Sequence, residues 1–203
     1  MTTTILYMNQ GGGGDWGAVA YASYDILAIA ESSTTKKGFS ETYSSATHPV
    51  MTIFIRDGRR GRVITEAKDV DYLYESTRPL VMFQLVASKL HVVFVHLKSA
   101  NVKKANAELE EACSAAAKHL AGTSFKGVLW IGDFNRATQD PATTFGRWFP
   151  NTEVLFASGG QAKWNLDRVY YSYLHERDRL DIETKKATKS SDHGHVGIKI
   201  VIP

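Results

Sequence analysis

Residues 128–136 read VLWIGDFNR, a buried-strand pattern of four apolar residues that runs into Gly132, Asp133, Phe134, Asn135 and Arg136. In an extended segment, side chains at i and i+2 point the same way. Asp133 and Asn135 are therefore expected to aim a carboxylate and a carboxamide at one spot. Other chemistry-bearing residues occupy the same kind of position, where an apolar run turns polar. Asn9 follows Met8, Glu31 follows Ile29 and Ala30, and His96 follows Phe94 and Val95. Asp167 lies within the run 166–171, and Asp192 and His193 stand just before the last apolar run. Oxygen-rich sets of this kind hold Mg2+ or Mn2+, which also bind phosphate oxygens readily. A zinc site would call for cysteines or clustered histidines, and Cys113 is the only cysteine.

Each residue also has a plainer reading. Asp133 and Asn135 could form a turn that hydrogen-bonds backbone. Asp192 and His193 could cap the final strand, Asp167 could pair with Arg168 or Lys163, and Arg78 before Pro79 could be an ordinary exposed arginine. What favours the chemical reading is the recurrence of one pattern, since strands that end in functional groups at a common rim make a site on a rigid scaffold.

The elements that must position these residues are short, apolar, β-rich runs at 4–8, 26–30, 51–55, 80–86, 91–95, 128–131, 166–171 and 196–202. One clear helix is predicted over 102–121, with Leu109, Cys113, Ala116 and Leu120 as its apolar stripe and Gly122 as its stop. A shorter helix is predicted over 17–24. Asp57-Gly58 is a turn signal between two strand candidates. The four glycines at 11–14 lack the spacing and the downstream lysine of a phosphate-cradling loop.

Five motifs occur in a telling order: YDILAIAE (24–31), VHLKS (95–99), IGDFN (131–135), LDRVYYS (166–172) and SSDHGHVGI (190–198). In this order they resemble the endonuclease/exonuclease/phosphatase superfamily over almost the whole chain, and within it the deoxyribonuclease I branch. With PVMTIFI (49–55) and Arg78-Pro79-Leu80, the sequence is most similar to the catalytic subunit of cytolethal distending toxins. The resemblance implies an α+β protein, a four-layer α/β sandwich of two packed mixed β-sheets flanked by helices, formed by residues 1–203 as a single catalytic domain. It implies Mg2+ or Mn2+ held by Glu31, Asp192 and Asn9, and a catalytic set of His96, Asp133, Asp167 and His193. Arg78 and Asn135 would then contact the substrate phosphate.

The implied activity is that of a divalent-metal-dependent nuclease, a DNA endonuclease of low sequence specificity. Its alternatives are a phosphatase acting on phosphoinositides or other small phosphoesters, and an abasic-site or retroelement-type endonuclease, in which His96 is less expected. DNA is the expected partner, with RNA or a small phosphoester as alternatives, and the chain is expected to be monomeric. Delivery subunits would enter with the toxin branch. Two features depart from the deoxyribonuclease branch. The glutamate that pairs with its first histidine has no counterpart in Ala46-Thr47-His48-Pro49, and the branch's disulfide is absent.

Composition agrees with a globular enzyme without specifying one. The 203 residues are 43% hydrophobic and 22% charged, with a net charge of +3, enough for one sizeable core. The net charge is compatible with an anionic partner. Arg56, Arg59, Arg60 and Arg62, with Lys185, Lys186 and Lys189, are candidate phosphate contacts, and Trp164 is a candidate for stacking on a base or sugar. A single cysteine excludes an intramolecular disulfide and suits a reducing compartment. The N-terminus has no signal-peptide pattern and no run approaches about 18 apolar residues. A cytoplasmic or nuclear location follows unless a leader has been removed.

Overall fold

A strand covered on both faces must be apolar nearly throughout, and the apolar runs of this chain become such strands. The computed structural model describes residues 2–9, 23–31, 37–45, 51–59, 61, 63–65, 68–69, 80–97, 101–135, 137, 140–157, 167–186 and 198–203. The strands are β1 (Thr3–Asn9), β2 (Ile26–Ala30), β3 (Phe39–Ser44), β4 (Met51–Arg56), β5 (Lys68–Asp69), β6 (Val81–Gln84), β7 (Leu90–His96), β8 (Gly127–Asp133), β9 (Thr152–Ala157), β10 (Asp167–Tyr173), β11 (Glu183–Lys186) and β12 (Ile198–Ile202). Helix α1 spans Val102–Leu120 and α2 spans Pro141–Phe145.

Two six-stranded mixed sheets result, ordered β11-β12-β1-β2-β4-β3 and β5-β6-β7-β8-β10-β9. At the centre of each lies one parallel pair, β1 with β2 and β7 with β8. The other pairings are antiparallel. This is the sandwich of two packed mixed sheets that the family resemblance implied.

Period-two alternation assigns the faces. Ile5 and Tyr7 of β1, Ala28 and Ala30 of β2, Val92 and Phe94 of β7, Leu129 and Ile131 of β8, and Val169 and Tyr171 of β10 fill the layer between the sheets. Val93, Val95, Val128 and Trp130 point the other way, onto α1 and α2. Helix α1 supplies Ala105, Leu109, Ala112, Cys113, Ala116 and Leu120 to that layer. Asn101 caps it through Oδ1, which accepts from the N–H of Lys104, and Gly122 follows its end at φ +79°. Helix α2 begins on an Asp-Pro pair, with Asp140 as N-cap and Pro141 at a position where its missing N–H costs nothing. Leu6, Met8, Leu27, Ile29 and Phe54 form a third buried layer, on the outer face of the first sheet. Among the described residues no helix is long and apolar enough to cross a membrane.

The structure differs from these expectations in some places and adds elements in others. The run predicted over 26–30 is β2 unchanged and the last strand ends at 202 as expected. The described ends of the other predicted strands move by at most two residues, and β3, β5, β9 and β11 were not predicted. The Asp57-Gly58 turn forms, with Gly58 at φ +76°, yet it closes no hairpin. The chain passes from β4 in the first sheet to Ile64, which bridges Leu85 beside the second. Of the helix predicted over 17–24, residues 17–22 lie outside the described residues, and Tyr24 is buried, non-helical chain just before β2. Helix α2 was also not predicted, although Asp140-Pro141 carries its start signal.

Among the described glycines, Gly132 leaves the least room for a side chain. Its φ is +140°, and a Cβ built on it would lie 1.9 Å from the carbonyl oxygen of Val95, its register partner on β7. Gly132→Ala should therefore destabilise the protein by about 3 kcal/mol or more, read as a fall in the urea unfolding midpoint. An unchanged midpoint would show that β7 and β8 are not so closely apposed.

Candidate active site

The polar side chains gather where the apolar layer between the sheets ends. Asn9 continues the inward face of β1, His96 that of β7 and Asp133 that of β8, while Asp167 begins the inward face of β10. Three of these strand ends are also linked by register, since His96 and Asp167 are both Cα partners of Asp133. Side chains from three neighbouring strands of the second sheet thus meet Tyr7, Asn9 and Glu31 of the first.

Glu31 needs a different device. Ala30 already faces inward, so regular alternation would turn Glu31 outward with Ile29. Its backbone instead takes φ +65°, uncommon for a residue with a Cβ. That turn ends β2 and brings the carboxylate back over the rim, with Oε1 3.4 Å from His96 Nε2. The same Nε2 lies 3.5 Å from Asp133 Oδ2. His96 is thus held between two carboxylates, both different from the upstream glutamate of the deoxyribonuclease branch. Residues 46–50, where that glutamate would stand, lie outside the described residues.

Asp133 is the hub. Its Oδ1 accepts from the Asn135 N–H at 2.7 Å, and its Oδ2 accepts from Asn9 Nδ2 at 3.2 Å. The Asn9 amide nitrogen, not its oxygen, is thus the atom on Asp133. Asn135 departs from expectation. The strand ends at Asp133, and Asn135 adopts φ +45°, so alternation no longer applies. Its side-chain amide donates to the Leu97 carbonyl. The backbone-bonding turn considered for this pair thus describes both in part, since Asp133 Oδ1 takes the Asn135 N–H and Asn135 takes the Leu97 carbonyl, while Asp133 Oδ2 faces its neighbours across the sheets.

Asp167 is held by Tyr7, whose hydroxyl donates to Oδ1 at 2.8 Å. Arg168, weighed above as its partner, projects to the other side of β10. There it is buried, with Nη2 donating to the Asn135 carbonyl and Nη1 to Tyr170 Oη, each at 3.2 Å. In the sequence Arg168 was weighed only as a partner for Asp167, and Tyr7 was missed. For Tyr7 a signal existed, because it shares a face with Asn9 two residues on. Burial first, and then the fields of Asp167 and Asp133, push the Tyr7 hydroxyl well above the ordinary tyrosine value, so it stays a neutral donor.

Access separates the residues. Asn9, His96, Asp133, Asn135 and Asp167 are each at most 4% exposed, whereas the Glu31 side chain is 30% exposed. Among the described residues no group of three His, Cys, Asp or Glu is arranged to hold a metal ion. The chemistry of the donors nonetheless suits a hard cation, since the Glu31 carboxylate and the Asn9 amide oxygen are ligands of the type Mg2+ and Mn2+ take. Arg78, Asp192 and His193 lie outside the described residues, as do Arg60, Arg62, Trp164 and Lys189. Arg56 and Arg59 have structural partners. Arg56 donates to the Tyr24 carbonyl through Nε and Nη2, and Arg59 pairs with Asp25 at 3.3 Å.

No protein-family model and no curated protein matches the sequence. Among solved structures, D. rerio TDP2 in complex with a single-strand DNA product aligns with 100% of this chain and 99% of its own, at 13% identity and a TM-score of 0.66. The Haemophilus ducreyi cytolethal distending toxin aligns over 98% of both chains at 15% identity and a TM-score of 0.64. The inositol polyphosphate 5-phosphatase domain of SPsynaptojanin, in complex with inositol (1,4)-bisphosphate and calcium, aligns with 100% of this chain and 84% of its own, at 11% identity and a TM-score of 0.55.

The Tyr7 contact sets a pH dependence. A tyrosine whose folded pKa is raised stabilises the fold fully below its unfolded value near 10, and that contribution is lost as pH rises toward the folded value. Urea midpoints should therefore fall above about pH 10, and less steeply in Tyr7→Phe, which leaves no hydroxyl to ionise at this position. Equal alkaline slopes for the two proteins would refute the assignment.

Proposed function

For a chain with the deoxyribonuclease I-like fold of the endonuclease/exonuclease/phosphatase superfamily, we propose hydrolysis of phosphodiester bonds assisted by a divalent metal, as a DNA endonuclease of low sequence specificity. The observation that carries this reading is the meeting of Asn9 and Glu31 from one sheet with His96, Asp133 and Asp167 from the other. The likeness to a TDP2 structure that holds a DNA strand supports nucleic acid as the substrate.

A phosphodiester resists hydrolysis because it is anionic and its leaving group is poor. Glu31 and Asn9, with Asp192, would hold Mg2+ or Mn2+, which when bound supplies positive charge opposite the phosphate oxygens. Asp133, kept in one orientation by the Asn135 N–H and the Asn9 amide, orients the attacking water. His96 and His193 are the groups able to carry protons near neutral pH, one taking a proton from the water and the other giving one to the departing alkoxide. Asp167 orients His193. Arg78 holds a phosphate oxygen. The Asn135 amide has two hydrogens, one donated to Leu97 and a second for the phosphate.

A phosphatase acting on phosphoinositides is the second reading, favoured by the likeness to the inositol phosphatase domain. Fold alone does not choose between the two.

Supercoiled plasmid should be nicked with Mg2+ or Mn2+ and left intact in excess chelator. Glu31→Gln, His96→Ala and His193→Ala should each lower the rate by roughly 10²-fold or more. Nicking that persists in chelator, or in Asp192→Ala, would sink the proposal. Release of phosphate from inositol phosphates without plasmid nicking would transfer it to the second reading.

A further inference from the structure

We propose that Tyr7 is a positioning residue, whose hydroxyl reaches across the gap between the sheets and holds the Asp167 carboxylate in its working orientation. The inference rests on the phosphodiesterase reading of the site and adds a residue to it.

Tyr7 lies two residues before Asn9 on the inward face of β1, at the level where apolar packing gives way to polar groups. Its ring is fixed edge-on against Phe94, with centroids 5.6 Å apart and planes at 75°. The hydroxyl is therefore delivered from a ring with little freedom to move. It meets Asp167 Oδ1 at 2.8 Å, and both residues are at most 2% exposed. Two consequences follow. One oxygen of Asp167 is engaged, which restricts rotation of the carboxylate and so the directions that its other oxygen can take. The contact also ties β1 of the first sheet to β10 of the second, so the half of the site carrying Asn9 is registered against the half carrying Asp133 and Asp167.

The choice of tyrosine has a physical reason. Asp167 and Asp133 are register partners on adjacent strands, both buried, and two buried carboxylates side by side repel. A lysine or arginine at position 7 would relieve the repulsion but cancel the negative charge that suits the site to a cation. Phenylalanine would leave a buried carboxylate oxygen against a ring edge. A neutral donor long enough to cross between packed sheets satisfies Asp167 and leaves the charge in place. Catalytic geometry is sensitive on this scale, since a misplacement of about 1 Å can cost about 10²-fold in rate.

The test is Tyr7→Phe, which keeps the ring and removes the donor. Against bis(p-nitrophenyl) phosphate and plasmid at saturating metal, kcat should fall by roughly 10- to 100-fold with KM changed by less than about twofold. In the Asp167→Asn background the same substitution should add almost nothing, because the two residues act as one unit. Wild-type kcat in a folded Tyr7→Phe, or a full additive loss in the double variant, would overturn the proposal. In the wild-type protein the Tyr7 hydroxyl proton should appear as a slowly exchanging magnetic resonance signal. Its absence would overturn the proposal even if the variant failed to fold. Its presence in a protein that cleaves no phosphoester would remove the functional reading and leave the Tyr7–Asp167 contact standing.

Discussion

Three polar contacts that cross the gap between the sheets hold the candidate site together: Tyr7 with Asp167, Asn9 with Asp133, and Glu31 with His96. Each joins a residue of the first sheet to a residue of the second. Beneath them the gap is closed by apolar side chains such as Ile5, Phe94, Ile131 and Val169, whose burial supplies the driving force without direction. At the rim direction is needed, and hydrogen-bond geometry supplies it. Two packed sheets have freedom to slide. These contacts, placed at the ends of the most buried strands, convert close packing into a defined arrangement of reactive groups.

That arrangement concentrates negative charge. Glu31, Asp133 and Asp167 approach one another with one described histidine among them, and two of the three carboxylates are almost fully buried. The described donors that hydrogen-bond the two buried carboxylates are neutral: the Asn135 N–H, the Asn9 amide and the Tyr7 hydroxyl. Neutral donors pay the desolvation of a carboxylate while leaving its charge to act on whatever binds. The backbone contributes as well. Glu31, Gly132 and Asn135 all have positive φ, and all three lie where a strand of a central parallel pair gives way to the rim. Unusual backbone conformations collect where side chains must depart from strand alternation.

The sequence was read correctly wherever burial wrote a simple pattern. The eight predicted strands are β1, β2, β4, β6, β7, β8, β10 and β12, which are the eight interior strands of the two sheets. The four that escaped, β3, β5, β9 and β11, are the four edges. Edge strands have a neighbour on one side only and tolerate polar residues. Phe39–Ser44 reads FSETYS and Glu183–Lys186 reads ETKK, neither of which carries the continuous apolar signature of a strand covered on both faces. The long helix was legible for the opposite reason, since a three-to-four residue apolar stripe over nineteen residues has no competing interpretation.

For the site, residue type and position at the end of an apolar run marked Asn9, Glu31, His96 and Asp133 as candidates, because such runs must be buried strands and their ends must lie at a rim. Asp167, inside its run, was a candidate by residue type, and the roles came from the family resemblance. Which side chain meets which was decided only by the packing of the sheets. Alternation predicted that Asp133 and Asn135 would act as a pair, but it fails one residue past the strand, where Asn135 turns left-handed and takes the Leu97 carbonyl. The partners of His96 come from β2 and β8, and the partner of Asp167 comes from β1, 160 residues away in the chain. Local sequence carries the period of a strand and the chemistry of its last residue. The distance between two sheets, and hence the need for a side chain as long as Tyr7 to span it, exists only once both have formed and packed.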